Sequence, residues 1–268
     1  MSRDLPLGEA VALGAIQGPT ELLPVSSSGH LVLVPRLLEW RYCDLDPALR
    51  KSFEVALHAG GAVALLLGLR REVGAYLRSF GRENLAHLTL SFAPAALAAW
   101  AFERPIERRL SEPVPVALAL IAGAAVMAVA DGFPAERDRD EVTAHDALAI
   151  GLAQACALVP GVSRNGATLS AARVLRFRRA DANAISRQIA LPVILAASAL
   201  KAARLARHGI APGLAAAMAA GAGAAFVSTL ASMRLIAMLE RGRSLLPYAG
   251  YRVGLGTAAL ALARRGRR

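Results

Sequence analysis

Chemistry-bearing residues crowd into two short stretches of an otherwise apolar chain. The first, "QGPTELLPVSSSGHL" from Gln17, sets Gln17, Glu21, Ser26, Ser27, Ser28 and His30 among leucines and valines. Gln17 and Glu21 are four apart, so on a helix both point to one face. The second, "LVPGVSRNGATLSAAR" from Leu158, offers Ser163, Arg164, Asn165, Gly166 and Thr168 after a Pro160–Gly161 helix break. One stretch supplies a carboxylate, hydroxyls and an imidazole; the other supplies an arginine with hydrogen-bond donors. Together they form a phosphoryl-transfer inventory of nucleophile, acid or base, and charge stabiliser. A helix restarting near Gly166 turns backbone N–H groups toward an anion, and the planar fork of Arg164 matches phosphate.

Duller readings exist for each group. Glu21 could mark an interfacial helix end, Arg164 could be a loop arginine obeying the positive-inside bias, and His30 could be a core imidazole. Leu22, Leu23 and Val25 close around Glu21, however, and Ser163 and Asn165 flank Arg164. An ionisable group within a membrane segment is a functional hypothesis by default. The residues alone reach this reaction class and do not name the phosphorylated molecule.

Composition places these stretches in a membrane. The chain has 268 residues, 55% apolar and only 19% charged, against about 25% charged in soluble domains. Its net charge of +11 is almost all arginine, since Lys51 and Lys201 are the only lysines. The arginines sit in short connectors between apolar runs, which speaks for lipid headgroups or an anionic substrate and against nucleic acid. Cys43 and Cys156 lack C-x-x-C spacing, so neither a disulfide framework nor a zinc site is expected. The first residues mix Arg3, Asp4 and Glu9 without a compact apolar region, so the mature chain is read as beginning near Met1.

A spanning helix needs about 20 mostly apolar residues. Runs starting at Leu85, Pro113, Gly209 and Leu245 fit; the run from Phe53 is shorter and carries Glu54 and His58. Residues 182–200 qualify with Arg187 at their end, and "DGFPAERDRDEVTAHD" reads as a solvated loop between halves of about 1–131 and 145–268. The two chemistry-bearing segments, about 8–38 and 147–175, each consist of an apolar lead-in, a Pro/Ser/Gly interruption and a second apolar piece. Such breaks survive at membrane depth only when buried in protein or lining a wet cavity.

The two segments also match each other. A shift of 137 residues places Ala12, Gly14, Gln17, Val25, Ser26 and Gly29 on Ala149, Gly151, Gln154, Val162, Ser163 and Gly166. The polar Gln and Ser among these matches favour a repeat over two merely small-residue-rich helices. The expected fold is an all-α polytopic membrane protein built as an inverted-topology repeat, its two interrupted, re-entrant segments meeting at a pseudo-two-fold axis.

Other ionisable residues say less. Glu54 and His58 share a helical face, either as partners behind the site or as a helix end with an incidental polar contact. Arg252 is expected to snorkel to the interface, and the tail "ARRGRR" to touch anionic lipid. Membrane orientation is not readable, because nearly every connector bears arginine.

At the two stretches the chain resembles the undecaprenyl-diphosphate phosphatase family of the bacitracin-resistance type. "QGPTELLPVSSSGHL" looks like that family's first motif, "PGVSRNGAT" like its second, and "FEVALHAGGAVALLL" is similar to the segment after the first. The likeness covers nearly the whole chain. It implies hydrolysis of undecaprenyl diphosphate, a C55 isoprenoid diphosphate, to the monophosphate carrier lipid used in cell-wall synthesis, and resistance to bacitracin, which sequesters the diphosphate. It also implies a divalent metal ion, Mg or Ca, and a place among the lipids of the bacterial cytoplasmic membrane, with the site toward the outer face. Homodimerisation stays open. Glu21, Ser27, His30 and Arg164 match the family's essential positions, and Glu21 is the one strong metal-ligand candidate in the two stretches, so the diphosphate is expected to complete the coordination. Gln17 falls where the family has Glu or Gln; Ser26, Ser163 and Thr168 match polar residues lining the site, and Ser28, Asn165 and Gly166 are expected to bind the substrate with them. Three positions depart from the pattern: Ser28 for a more common Thr, Leu22 for a frequent Phe, and Asn165 for Ser. A second lipid-phosphatase family shares the Ser-Gly-His triplet. It needs a later His and Asp that "SRNGATLSAAR" lacks, so that reading is rejected.

The expected mechanism has Ser27 attack the terminal phosphorus. Glu21, held near His30, handles the proton, while Arg164 and the metal stabilise the equatorial oxygens. His30 as nucleophile and metal-activated water are alternatives that spacing does not separate. A rival of another class is a lipid-phosphate transporter, which shares inverted repeats and broken helices but needs no nucleophile.

Overall fold

In the computed structural model neither chemistry-bearing segment forms one continuous helix. The structure describes residues 4–78, 80–189, 192, 203, 212–240 and 243–265. The first segment folds as α1 (Leu7–Leu22), a short break, and α2 (Ser27–Leu37); the second as α7 (Ala144–Cys156), a longer break, and α8 (Arg164–Val174). The remaining described helices are α3 (Pro47–Gly68), α4 (Arg70–Arg78), α5 (Arg82–Leu110), α6 (Pro113–Asp131), α9 (179–189), α10 (Pro212–Glu240) and α11 (Leu246–Arg265). Two 3-10 turns, Arg41–Asp44 and Arg139–Glu141, complete the elements.

This is an all-helical protein with three described helices long and apolar enough to cross a membrane: α5, α6 and Leu214–Leu235 of α10. The anticipated runs from Phe53 and Leu245 fall within α3 and α11, of 22 and 20 residues. Parts of the runs over 182–200 and from Gly209, and residues 266–268 of the basic tail, lie outside the described residues. Leu97 and Trp100 on α5 and Val126 and Val129 on α6 point outward, an apolar face suited to lipid. By contrast α1, α2, α7 and α8 have 16, 11, 13 and 11 residues, too few for a bilayer core about 30 Å thick.

The broken units are held by close helix packing. α1 lies against α10, and α7 against α5. Gly14 and Gly18 form a small-xxx-small face: a Cβ on Gly14 would stand 2.3 Å from the Gly221 carbonyl oxygen, and one on Gly18 2.4 Å from Ser228. A Cβ on Gly151, 137 residues after Gly14, would likewise stand 2.7 Å from the Leu90 and Ser91 carbonyl oxygens. Pro19 lacks the N–H that would bond the Ala15 carbonyl; the Ser228 hydroxyl donates to that carbonyl instead, at 2.5 Å. Pro94 lies inside α5, and near it the Gln154 amide of α7 donates to the Ser91 carbonyl at 3.2 Å.

Packing does not segregate by sequence half. α6 and α11 pack on each other, α6 touches α8 and α2, and α11 touches α2. One apolar core joins α1 and α3 to α10 through Leu13, Phe53, Leu57 and Leu214. A second joins α6, α7, α8, α9 and α11 through Met127, Ile150, Leu169, Ile185 and Ala249.

The mixed-charge connector is more ordered than a solvated loop. Arg137 grips Asp146 with both terminal nitrogens, at 3.0 and 2.6 Å, and lies over the Phe177 ring at 4.3 Å. The hydrogen bond to Asp146 outweighs partial burial and holds the Arg137 guanidinium above its ordinary pKa. Arg176 and Arg178 pair with Glu136 and Asp138. Opposite charges four decades of residues apart in the chain turn the linker into a clasp at the start of α7.

Candidate active site

Both breaks end on the same local device. Ser26 and Ser163 sit at positive φ, 76° and 70°, and each caps the next helix by accepting from the N–H three residues on: Gly29 at 3.2 Å and Gly166 at 3.1 Å. Positive φ at a non-glycine residue costs on the order of 1–3 kcal/mol and persists where surroundings enforce it. The cap contributes about 1 kcal/mol in return. The second helix therefore starts at Arg164, two residues before Gly166, because Ser163 takes the cap position. The capping serines point α2 and α8 N-terminus first into one shared space.

Three direct hydrogen bonds and one bridging side chain join the two broken segments there. Arg164 Nη2 donates to Glu21 Oε1 at 2.5 Å across 143 residues of sequence. The Asn165 amide donates to the Leu22 carbonyl at 2.8 Å, closing the C-terminal end of α1. The Gly161 N–H donates to the Ser28 hydroxyl at 3.4 Å. Arg252 of α11 donates to Pro24, Gly161 and Val162 carbonyls at 3.4, 3.1 and 2.8 Å.

Glu21 is the hub. Its Oε2 accepts from the Ser27 hydroxyl at 2.9 Å and from the Gln17 amide at 3.2 Å, while Oε1 takes Arg164. A serine hydroxyl on a carboxylate, with an arginine fork beside it, has the chemistry that a nucleophile–base pair with an anion stabiliser requires. The side chains of Glu21 and Arg164 keep 9% and 20% of their surface exposed, so the cluster is sheltered yet reachable.

His30 does not join this hub. Its Nδ1–H donates to the Ser26 carbonyl at 2.7 Å, and its Nε2 meets the Tyr251 hydroxyl at 2.7 Å, with the rings stacked 5.5 Å apart. A carbonyl only accepts, so Nδ1 carries the proton, and in the neutral ring Nε2 accepts from Tyr251. The imidazole near Glu21 is His58 instead: Gln17 Nε2 donates to its Nδ1 at 3.0 Å, and Glu21 Oε2 lies 3.8 Å away. Of the two readings for the α3 pair, His58 is thus the partner behind the site, while Glu54 accepts from the Tyr42 hydroxyl at 2.8 Å.

The other anticipated residues frame the hub. Thr168 is fully buried, donates to the Arg164 and Asn165 carbonyls and meets Ser186 at 2.6 Å. Asn165 Oδ1 accepts from Ser186 at 2.9 Å, so asparagine fills with two hydrogen bonds a place where serine has one hydroxyl. Ser28 lies 3.3 Å from the Ser26 hydroxyl. Sequence reasoning missed Arg252 and Tyr251. Arg252 was expected to snorkel outward and is fully buried. The available signal was its position: a charge seven residues into an apolar run reaches neither interface easily.

The donor set suits a hard cation only in part. No group of three or more His, Cys, Asp or Glu side chains gathers to hold a metal among the described residues. Gln17 Oε1, however, is buried without a hydrogen-bond partner one helical turn from Glu21. One carboxylate and one amide oxygen match an ion of the Mg or Ca type that takes its remaining ligands from phosphate and water.

The family described as "Bacitracin resistance protein BacA" matches over residues 10–258. An undecaprenyl-diphosphatase of Geobacter sulfurreducens is 42% identical over 267 residues, covering 94% of this chain and 96% of that protein. Undecaprenyl-diphosphatases of Trichlorobacter lovleyi and Campylobacter curvus are each 36% identical, covering 96% and 93% of this chain and 97% and 96% of theirs.

Proposed function

Because the chain belongs to the bacitracin resistance protein BacA family, we infer its reaction from that membership and from the Glu21 hub together. It is an undecaprenyl-diphosphatase, a membrane hydrolase that cleaves the C55 isoprenoid diphosphate to the monophosphate carrier lipid and phosphate. The transporter reading draws no support from these relatives. The observation that carries the mechanism is the meeting of Ser27, Glu21 and Arg164 across the two breaks.

We assign Ser27 as nucleophile and Glu21 as its base. Ser27 Oγ attacks the terminal phosphorus as its proton passes to Glu21 Oε2, and the P–O bond to the lipid monophosphate breaks. Glu21 passes that proton to the departing lipid phosphate; water then attacks the phosphoseryl phosphorus and gives a proton to Glu21, which hands it to Ser27 Oγ as the Oγ–P bond breaks and phosphate leaves. Arg164 shares its fork between Glu21 and the equatorial oxygens, where charge stabilisation matters most in a loose transition state. The N-terminal amides of α2 and α8 face the same anion. His30, held by Ser26 and Tyr251, is assigned to fixing the first turn of α2 rather than to attack. Ser26, Ser28, Ser163, Asn165, Gly166 and Thr168 shape the phosphate cradle, and Gln17 and His58 orient Glu21.

Glu21 is the proposed holder of a divalent ion, with the buried, unpartnered Oε1 of Gln17 as a second candidate oxygen one helical turn away. When bound, that ion supplies Lewis-acid charge neutralisation of the diphosphate. The breaks are proposed to be re-entrant and related by an inverted repeat. The paired serine caps, the Gly14 and Gly151 approaches and the crossed packing of α1 on α10 and α7 on α5 support this. An address in the cytoplasmic membrane, with the hub toward its outer face, is proposed as part of the same reading.

The test is phosphate release by protein purified in detergent and given undecaprenyl diphosphate. Turnover by wild type, lost in Ser27→Ala, is the expected result. A wild-type protein that binds the lipid and releases no phosphate would overturn the assignment.

A further inference from the structure

Arg252 stands in α11, well removed in sequence from either motif, yet it is the most deeply buried charge at the hub's edge, with no exposed surface. All its described hydrogen bonds go to carbonyl oxygens, and they divide between the breaks. Nη1 donates to Pro24, three residues before Ser27; Nη2 donates to Gly161 and Val162, the latter two residues before Arg164. Space for the guanidinium is cleared on both sides. A Cβ on Gly123 of α6 would stand 2.2 Å from Nη2, and one on Gly166 of α8 would stand 2.8 Å from Nη1. Two helices thus give up a side chain so that one fork fits between them.

Burying a charge costs several kcal/mol unless its hydrogen bonds are met. An apolar residue would fill this space at less cost, so the fold gains something only the fork provides. A lysine carries one nitrogen on a flexible stem and does not bridge acceptors on two separate loops with fixed geometry. The next residue back adds a second anchor: Tyr251 holds His30, which holds the Ser26 carbonyl. α11 therefore grips the first break at Pro24 and at Ser26, on either side of the turn that leads into Ser27.

Resting on the phosphatase reading, we propose that Arg252 is a positioning residue for phosphoryl transfer. It sets the gap between the Ser27–Glu21 pair on one break and Arg164 on the other without touching the substrate. Misplacing a reacting group by about 1 Å costs on the order of a hundredfold in rate. Substrate binding, spread over Arg164, the helix amides and the lipid tail, depends less on that gap.

The experiment measures kcat and KM for phosphate release from a prenyl diphosphate in Arg252→Met, Arg252→Lys and Gly123→Ala, each with a thermal melt. Arg252→Met and Arg252→Lys should lose kcat on the order of a hundredfold, with KM within about threefold of wild type. Failure of lysine to rescue separates the fork from the charge. Gly123→Ala keeps the arginine but crowds Nη2, and should lower kcat about tenfold at unchanged KM. If Arg252→Met does not yield a folded protein, Gly123→Ala decides, and an unchanged kcat there overturns the proposal. Near-normal kcat in Arg252→Met overturns it directly, and a KM rise matching the kcat loss makes Arg252 a binding charge instead. A wild type that releases no phosphate sinks the phosphatase reading and this inference with it; an active wild type with an equally active Arg252→Met removes the inference alone.

Discussion

Glu21→Gln separates the roles gathered at the hub. The carboxylate accepts from Ser27 at 2.9 Å, Gln17 at 3.2 Å and Arg164 at 2.5 Å. Glutamine keeps the shape and one acceptor oxygen but has neither charge nor useful basicity. Without a base for the Ser27 proton, kcat should fall by about 10²–10⁴-fold. Affinity should move the other way. In the resting protein the diphosphate competes with Glu21 for Arg164, and it approaches a like charge that it no longer meets in the variant. At about 4 Å and an effective dielectric near 20 that repulsion is on the order of 4 kcal/mol, an upper bound here because the Arg164 side chain keeps 20% of its surface in contact with solvent. KM at saturating divalent ion should therefore stay level or drop. The fold itself should weaken, because Arg164 loses its counter-charge. The loss should lie below the roughly 3–5 kcal/mol of a fully buried pair, and inorganic pyrophosphate should restore the melting temperature by supplying an anion. Phosphate release under steady state gives kcat and KM, and a melt with and without pyrophosphate gives the rest. A Glu21→Gln protein with kcat within tenfold of wild type, or with KM rising in step with lost kcat, would refute Glu21 as the base that also competes for Arg164.

Ser27→Ala should drop turnover by several orders of magnitude while prenyl diphosphate binding, followed by competition, is largely kept; near-normal turnover would hand attack to water. Arg164→Lys keeps a charge but not the fork, so it should lose roughly 10²–10³-fold in kcat, as removal of a transition-state donor does, and equal activity would show that a point charge suffices. Chelation should abolish phosphate release and added Mg or Ca should restore it; full activity in excess chelator would remove the metal from the reaction. Gly14→Leu drives a side chain into the Gly221 carbonyl, 2.3 Å from where its Cβ must stand. It should destabilise by about 3 kcal/mol or more and lower the melting temperature, and an unshifted melt would argue against tight α1–α10 packing.

The sequence by itself determined what is local. Pro24 stops α1 because the residue before a proline avoids the α region, and Pro160–Gly161 keep the chain from resuming a helix directly after α7 ends at Cys156. Ser26 and Ser163 restart them because a short hydroxyl side chain caps the N–H three residues on. Apolar runs of span length, the matching polar residues at the breaks and the two motifs of the family were equally legible, because each depends only on near neighbours. Tertiary structure alone decided who faces whom. Arg164 pairs with Glu21, His58 and not His30 stands beside that carboxylate, and Arg252 turns inward to both breaks although 228 residues separate it from Pro24. Spacing of three or four residues fixes a helical face, but no spacing encodes which distant helix that face meets. That choice is made by small residues such as Gly14, Gly123 and Gly166, whose missing side chains admit a backbone or a guanidinium only once the helices have packed.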